Sequence, residues 1–438
     1  GWDSVPGLNH NEIIEYALTY AEWGMTDDAA AVLTAWINRA SAPDKAYPML
    51  YYHLAHITHD VKAIELAEAA VSDYCFPHRL EDRLALEYAV AHSDNAARAQ
   101  YYLGCLWYDK RQHERAVQCW ESAIAIRDDL ATAHRNLALA YYNKHHDAAR
   151  ARAEMDRAFA MDETDARVFM ERDQLMKKLN VSASERLAEM ERHMELTTAR
   201  DDQYLEYVTC LNTLGRYEEA LKLILNRHFH PWEGGEGKVP AQWRMALTQL
   251  ARNAIIENRA QDALNLLKQA AGSYPYSFGE GKLTGAQEND VYYLMGRTYA
   301  LLGDNSSARE CYQRASQGLS EPVGMMYYND QPPEMIYYQG LARLQLGDTE
   351  GAQMRFNKLI DYGRTHMNDE VKIGYFAVSL PDFQIFDDDL NMRNRIHCLF
   401  MEALGHLGMD DGEAGKCLDE IKMLAPEHSG VIMHASFK

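Results

Sequence analysis

The chain has 438 residues, 47% of them hydrophobic and 25% charged, with 44 Lys+Arg against 65 Asp+Glu and a formal net charge of -21. Acidity on this scale repels phosphate backbones and anionic lipid, so nucleic acid and membrane surfaces are not expected partners. No apolar run approaches the roughly 18 residues of a membrane-spanning helix, and the opening GWDSVPGLNHNE has neither the basic region nor the apolar core of a signal peptide.

In chain order, the first pattern is Tyr20, Gly24, Ala29 and Leu33, with Ala63 falling 34 residues after Ala29. Residues 101–126, YYLGCLWYDKRQHERAVQCWESAIAI, repeat the idea more fully. Gly104 and Ala116 are small enough to let two helices approach, and Trp107 and Trp120 fill the space beside that contact. Leu137, Ala138 and Tyr141 follow Leu103, Gly104 and Trp107 by 34 residues. The pattern resembles the tetratricopeptide repeat, a 34-residue helix-turn-helix unit. Further copies are LGRYEEAL (214–221), residues 292–315 through Gly296, Gly303 and Tyr312, residues 336–359 through Gly340, Gly347 and Phe356, and a last unit at Ala414, Leu418 and Ile421. Roughly ten helix pairs are expected, with weaker copies near 60–95 and 160–200 and an extra helix near 79–92. Such hairpins cannot bury their apolar faces alone. Stacking them predicts an all-α, right-handed α-solenoid with a concave inner surface. The only stretch resembling a strand is YFAVSL, residues 375–380.

The seven cysteines include no C-x-x-C pair, and most fall within helical patterns, where a free thiol acts as a small buried hydrophobe. A reducing, cytoplasmic compartment is expected, without a disulfide framework or zinc site. The missing initial methionine implies a processed chain or a longer protein that continues upstream. The periodicity divides the chain into near-regular repeats over 1–203 and long-loop repeats over 204–438, expected to run on as one solenoid.

In that second part the period lengthens. Ala220, Ala263, Ala308 and Ala352 are spaced by 43, 45 and 44 residues, and Ala414 follows after 62. The surplus falls between the second helix of one unit and the first helix of the next. It makes four loops: 228–240, 273–286, 318–334 and 362–390. Loops of one class emerge along one edge of a solenoid about 10 Å apart, so neighbours touch. The first two share Gly-Glu-Gly-Lys, at 235–238 and 279–282. Insertions confined to one edge mark a binding face. The expected contact residues are His228, His230, Trp232, Glu233, Glu236 and Lys238 from the first loop and Tyr276, Phe278, Glu280 and Lys282 from the second. The third loop supplies Tyr327, Tyr328, Asn329 and Asp330, and the fourth Asp382 and Phe383.

Their chemistry is open to several readings. GGEGK is not a phosphate-binding loop, because Val239 rather than Ser or Thr follows Lys238. His228-x-His230 lacks a third metal ligand fixed by spacing, and His53, His56 and His59 read as a partly exposed helix face. No cofactor and no metal are expected. Glu233, Glu236 and Glu280 are carboxylates of the kind that hydrolyse glycosides in pairs. Flat rings beside carboxylates and amides equally suit binding of a carbohydrate or a partner domain.

Together HPWEGGEGKV, FGEGKLTGAQEND, YYNDQPPEMIYYQGLA and YFAVSLPDFQIFDDDL resemble the C-terminal region of a family of long bacterial proteins. Those proteins carry an N-terminal β-sandwich region, itself similar to galactose mutarotase, ahead of tetratricopeptide repeats. The resemblance implies a link to carbohydrate and a partner domain upstream in the same protein. It identifies no catalytic residue. Three functions remain: a non-catalytic module whose loop edge docks onto or completes a carbohydrate-related domain, a scaffold that holds a protein partner in its groove, or an enzyme using the loop carboxylates.

Overall fold

The computed structural model describes residues 8–232, 234–324, 330–372 and 385–435. The described residues form helices and connecting turns with no strand, and the chain divides into two compact units, 1–168 and 169–438. The strand-like residues 375–380 lie outside the described residues.

The first unit holds α1 (His10–Glu22), α2 (Thr26–Ile37), α3 (Pro48–Thr58), α4 (Val61–Ala69), α5 (Leu80–His92), α6 (Ala97–Asp109), α7 (His113–Ile126), α8 (Ala131–Asn143) and α9 (Ala148–Met161). Four hairpins, α1/α2, α3/α4, α6/α7 and α8/α9, pack in sequence order, and α5 is the extra helix, placed between α3 and α6. A Cβ on Gly104 of α6 would meet the Trp120 ring of α7 at 2.3 Å, so only glycine lets the indole lie against that backbone.

Of the histidines at 53, 56 and 59, one departs from expectation. His53 is fully buried rather than part of a partly exposed face, and its Nε2 bonds to Asp82 Oδ1 at 2.7 Å, whereas His56 is half-buried and His59 exposed. His59 is the left-handed residue that ends the helix.

The second unit begins within α10 (Ala166–Lys178). It continues through α11 (Ala183–Arg192), α12 (Met194–Ala199), α13 (Asp201–Thr213), α14 (Tyr217–Leu225), α15 (Lys238–Ile256) and α16 (Ala260–Ala271). α17 (Asn289–Leu301), α18 (Asn305–Ala315), α19 (Pro333–Gln345), α20 (Thr349–His366), α21 (Leu390–Met409) and α22 (Ala414–Leu424) complete it. From α13 onward the helices pair as hairpins, and the first helices α13, α15, α17, α19 and α21 lie side by side in a row. The small-against-large contact recurs: a Cβ on Gly296 would meet Tyr312 at 2.5 Å, and one on Gly340 would meet Phe356 at 2.3 Å.

Three helices are longer than the repeat requires. α15, α20 and α21 have 19, 18 and 20 residues, so part of each insertion is helix rather than loop. Lys238, expected in the first loop, is the first residue of α15. Pro240 follows within the first turn, where no intrahelical N–H bond is lost.

Candidate docking site on the loop edge of the second unit

Two neighbouring loops are stitched together, 226–237 between α14 and α15 and 272–288 between α16 and α17. The Phe229 N–H donates to the Ser277 carbonyl at 2.7 Å, and the Gly237 N–H donates to Glu280 Oε2 at 2.9 Å. Under these bonds Phe229 and Phe278 are buried, their rings edge-to-face with centroids 6.4 Å apart. Trp243 of α15 closes the stack, edge-on to Phe278 at 5.8 Å and to Tyr274 at 6.0 Å. The aromatic content of both loops thus partly serves to fix them to the helices.

Gly279 is required at the seam. Its φ is +74°, and a Cβ there would fall 2.9 Å from the Phe229 carbonyl oxygen. Gly279→Ala is expected to cost about 1–3 kcal/mol and to loosen the loop pair. Urea unfolding and the exchange rate of the Phe229 amide check it; unchanged protection at that amide contradicts this account.

The two Gly-Glu-Gly-Lys segments have different roles. In the first, the Trp232 ring lies on Gly235, where a Cβ would be 2.3 Å from the indole, and Gly237 caps α15 with φ +73°. In the second, Glu280 bonds to that cap, while Lys282 donates to the carbonyls of Ala271 and Gly272 at 2.8 and 3.3 Å and pairs with Glu288 at 2.6 Å. Lys282 therefore closes the C-terminal end of α16, and its ammonium is already committed there.

Between the loops lies a cleft of about 280 Å³. Its apolar walls are Pro231, Trp232, Val239 and Phe278, and its polar atoms come from His230, Glu236 and Glu280. Burial, with the charge of Glu236 behind it, raises the Glu280 carboxyl above its usual range, against the pull of the Gly237 N–H. Asp201 at the start of α13 holds His230, accepting from its backbone N–H at 2.8 Å and bonding its Nδ1 at 3.0 Å. Burial works against the charge of Asp201, but these bonds and Arg227 keep its carboxyl below the ordinary value. The His230 side chain stays 80% exposed at the mouth, and Tyr276 beside it is 93% exposed, its ring 6.4 Å from that of His228.

The structure thus gathers His230, Trp232, Glu236, Phe278 and Glu280 around one cleft, with His228 and Tyr276 at its edge. Lys238 begins the helix beside it and does not line it. Glu233, Tyr327, Tyr328, Asn329, Asp382 and Phe383 lie outside the described residues. Asp330 is away from the cleft, close enough to Tyr362 of α20 and His397 of α21 to act on both electrostatically. Phe386 of the fourth loop is 3% exposed and anchors its own segment. Pro231, Val239 and the support from Asp201 escaped sequence reasoning; the proline beside Trp232 was the one local signal. Among the described residues no group of three or more His, Cys, Asp or Glu is placed to hold a metal ion, and no helix is long and apolar enough to cross a membrane. The seven cysteines are free.

Family models agree with the fold. A TPR repeat model matches residues 104–144, and a tetratricopeptide repeat model matches 290–317 and 334–362. Among solved structures, the chain is similar to YrrB, described as a TPR protein with an unusual peptide-binding site. Identity there is 17% over 53% of this chain and 90% of that one, with a TM-score of 0.29. It is similar to a tetratricopeptide repeat protein from Parabacteroides merdae, at 12% identity over 76% of this chain and 98% of that one, with a TM-score of 0.28. It is also similar to PilW, a type IV pilus biogenesis factor, at 16% identity over 50% and 91% of the two chains, with a TM-score of 0.28. The class defined by hairpins and family models together is the all-α repeat solenoid. Within it, residues 104–144, 290–317 and 334–362 are tetratricopeptide repeats.

Proposed function

We propose that the chain is a non-catalytic interaction module, and that the loop edge of its second unit docks onto or completes a carbohydrate-related domain at the Trp232–Glu280 cleft. One observation carries the reading. Two loops of adjacent repeats are bonded into a cleft with an apolar wall and carboxylates at its rim. An indole offers a flat apolar face to the C–H side of a sugar ring, and carboxylates accept from its hydroxyls. A cleft of about 280 Å³ suits a single sugar ring or one inserted side chain, not an extended oligosaccharide. The resemblance of the loop motifs to proteins with a mutarotase-like region supplies the carbohydrate link.

The test is calorimetric titration with a panel of mono- and oligosaccharides, repeated on Trp232→Ala. Binding by the unaltered chain that weakens at least tenfold in the variant, about 1.4 kcal/mol, is the expected result. A folded chain that takes up none of the sugars overturns the carbohydrate assignment. Equal affinity in both proteins places the sugar elsewhere.

A further inference from the structure

The loop-edge cleft carries charge of one sign. Among the described residues no lysine or arginine lines it, and neither Glu236 nor Glu280 forms an ion pair. Lys282 is committed to the end of α16, and Lys238 acts on Glu236 only from beyond ion-pair distance while also serving Glu206 and Asp202. Three other carboxylates of the second unit each meet a cation directly: Asp173 meets Arg186 at 2.7 Å, Asp290 meets Arg244 at 3.0 Å and Glu206 meets Lys177 at 2.8 Å. The two carboxylates of the cleft are therefore set apart by what they lack.

The rim also accepts more than it donates. Glu280 takes the Gly237 N–H at 2.9 Å, which occupies one of its two oxygens. Asp201 can only accept, so the Nδ1 it bonds on His230 carries the ring proton, and Nε2 of the neutral imidazole is a further acceptor. Burial and then the charge of Glu236 work against the Glu280 carboxylate, so a cation in the cleft offsets both costs. An ammonium has three donors and no acceptor, which matches this rim, and a cation close to an indole gains from the ring's quadrupole as well. A phosphate or an acidic sugar finds no cation to pair with, and a neutral sugar leaves both carboxylates uncompensated. The formal net charge of -21 adds a field that draws cations toward the surface as a whole.

We propose that the cleft selects an amino sugar, a single hexose ring whose free amine is held as an ammonium by Glu236 and Glu280 while its C–H face rests on Trp232. The volume of about 280 Å³ admits one such ring. This rests on the reading of the cleft as a carbohydrate site and adds the charge of the ligand to it.

The test is calorimetric titration of the full chain at neutral pH with glucosamine, glucose, N-acetylglucosamine and glucuronate. Glucosamine is expected to bind about tenfold more tightly than glucose or N-acetylglucosamine, and glucuronate more weakly than either. Glu236→Gln and Glu280→Gln should each cut that preference about threefold and together abolish it, because glutamine still accepts from hydroxyls but carries no charge. Glutamine at 280 also keeps an acceptor for the Gly237 N–H, and position 236 is exposed, so the loop pair survives both changes. Added salt should shrink the preference for the amine. Glucosamine bound no better than glucose, or a preference that neither variant moves, overturns the amino sugar and leaves the carbohydrate reading standing. No sugar bound at all, with Nα-acetyl-lysine amide bound by the unaltered chain and lost in the double variant, overturns the amino sugar and the carbohydrate reading together and assigns the cleft to a lysine side chain of a partner.

Discussion

Arg186→Met is expected to destabilise the second unit by about 3–5 kcal/mol. Arg186 of α11 donates to both oxygens of Asp173 on α10 at 2.8 and 2.7 Å and to Glu206 on α13 at 2.9 Å, so one guanidinium joins three helices. Its side chain is 4% exposed and that of Asp173 6%. Methionine replaces the volume and leaves the Asp173 carboxylate buried without the guanidinium that binds both its oxygens, with only the more distant charge of Lys177 to offset it. The expected large cost is the loss of that hydrogen-bonded partner. The double variant Arg186→Met/Asp173→Leu should recover much of the loss, since a buried pair against apolar isosteres is often near neutral. Urea midpoints of the three proteins check this, and a double variant no better than the single one contradicts it.

The same cluster sets an acid limit. Burial disfavours the Glu206 carboxylate, but Lys177 and Arg186 outweigh it and lower the group to about 2 from an ordinary 4.5. A carboxylate depressed on folding stabilises the fold above its unfolded value and loses that contribution as pH falls through the folded one. The loss attributable to Glu206 therefore lies between about pH 4.5 and 2. Asp173 has the opposite sign, because burial raises it by more than Arg186 lowers it.

None of this was visible in the sequence, and the reason is physical. The repeat itself was legible because its code is local and steric: Gly104 with Trp120, Gly296 with Tyr312 and Gly340 with Phe356 are the same small-and-large pair, one on each helix of a hairpin. The extra helix α5, expected near 79–92, was legible too, because Ala63 and Ala116 stand farther apart than one 34-residue unit allows. The buried polar groups find partners well along the chain. Arg186 meets Asp173 and Glu206 across 13 and 20 positions, His53 meets Asp82 across 29, and Glu68 accepts from the backbone N–H of Arg98 across 30. At such separations a polar residue on an amphipathic helix looks like any solvated one. The loop edge was legible as an insertion, but not in detail. Lys238 and Lys282 occupy identical tetrapeptides, yet one starts a helix and the other closes a different one. The expectation that His53 belongs with His56 and His59 to a partly exposed face failed for the same reason, since its decisive partner, Asp82, stands in α5. Residues 427–435 carry no repeat signature at all, and their place depends on contacts with helices far back in the chain, Glu427 with Ala183 of α11 and Met433 with Gln249 of α15.

In the first unit, Glu68→Ala is expected to cost roughly 3 kcal/mol or more. Glu68 is 6% exposed at the end of α4. It accepts from the Tyr52 hydroxyl of α3 at 2.7 Å and from the backbone N–H groups of Arg98 and Ala99 at 2.8 and 2.9 Å. Those two N–H groups belong to the first turn of α6, which has no capping side chain of its own. Glu68 thus caps a helix from another repeat and fills the place of the missing local cap. Alanine leaves two buried donors and one buried hydroxyl without partners. Glu68→Gln separates this account from simple loss of volume. The amide keeps one acceptor oxygen, enough for Tyr52 and Ala99 at the Oε1 position, but sets an N–H₂ against the Arg98 N–H. Glutamine should therefore recover about half of the alanine loss, and leucine, equally large but unable to accept, almost none. Thermal and urea unfolding of the three variants measure it. Leucine matching glutamine would reassign Glu68 to packing and leave the start of α6 without its cap.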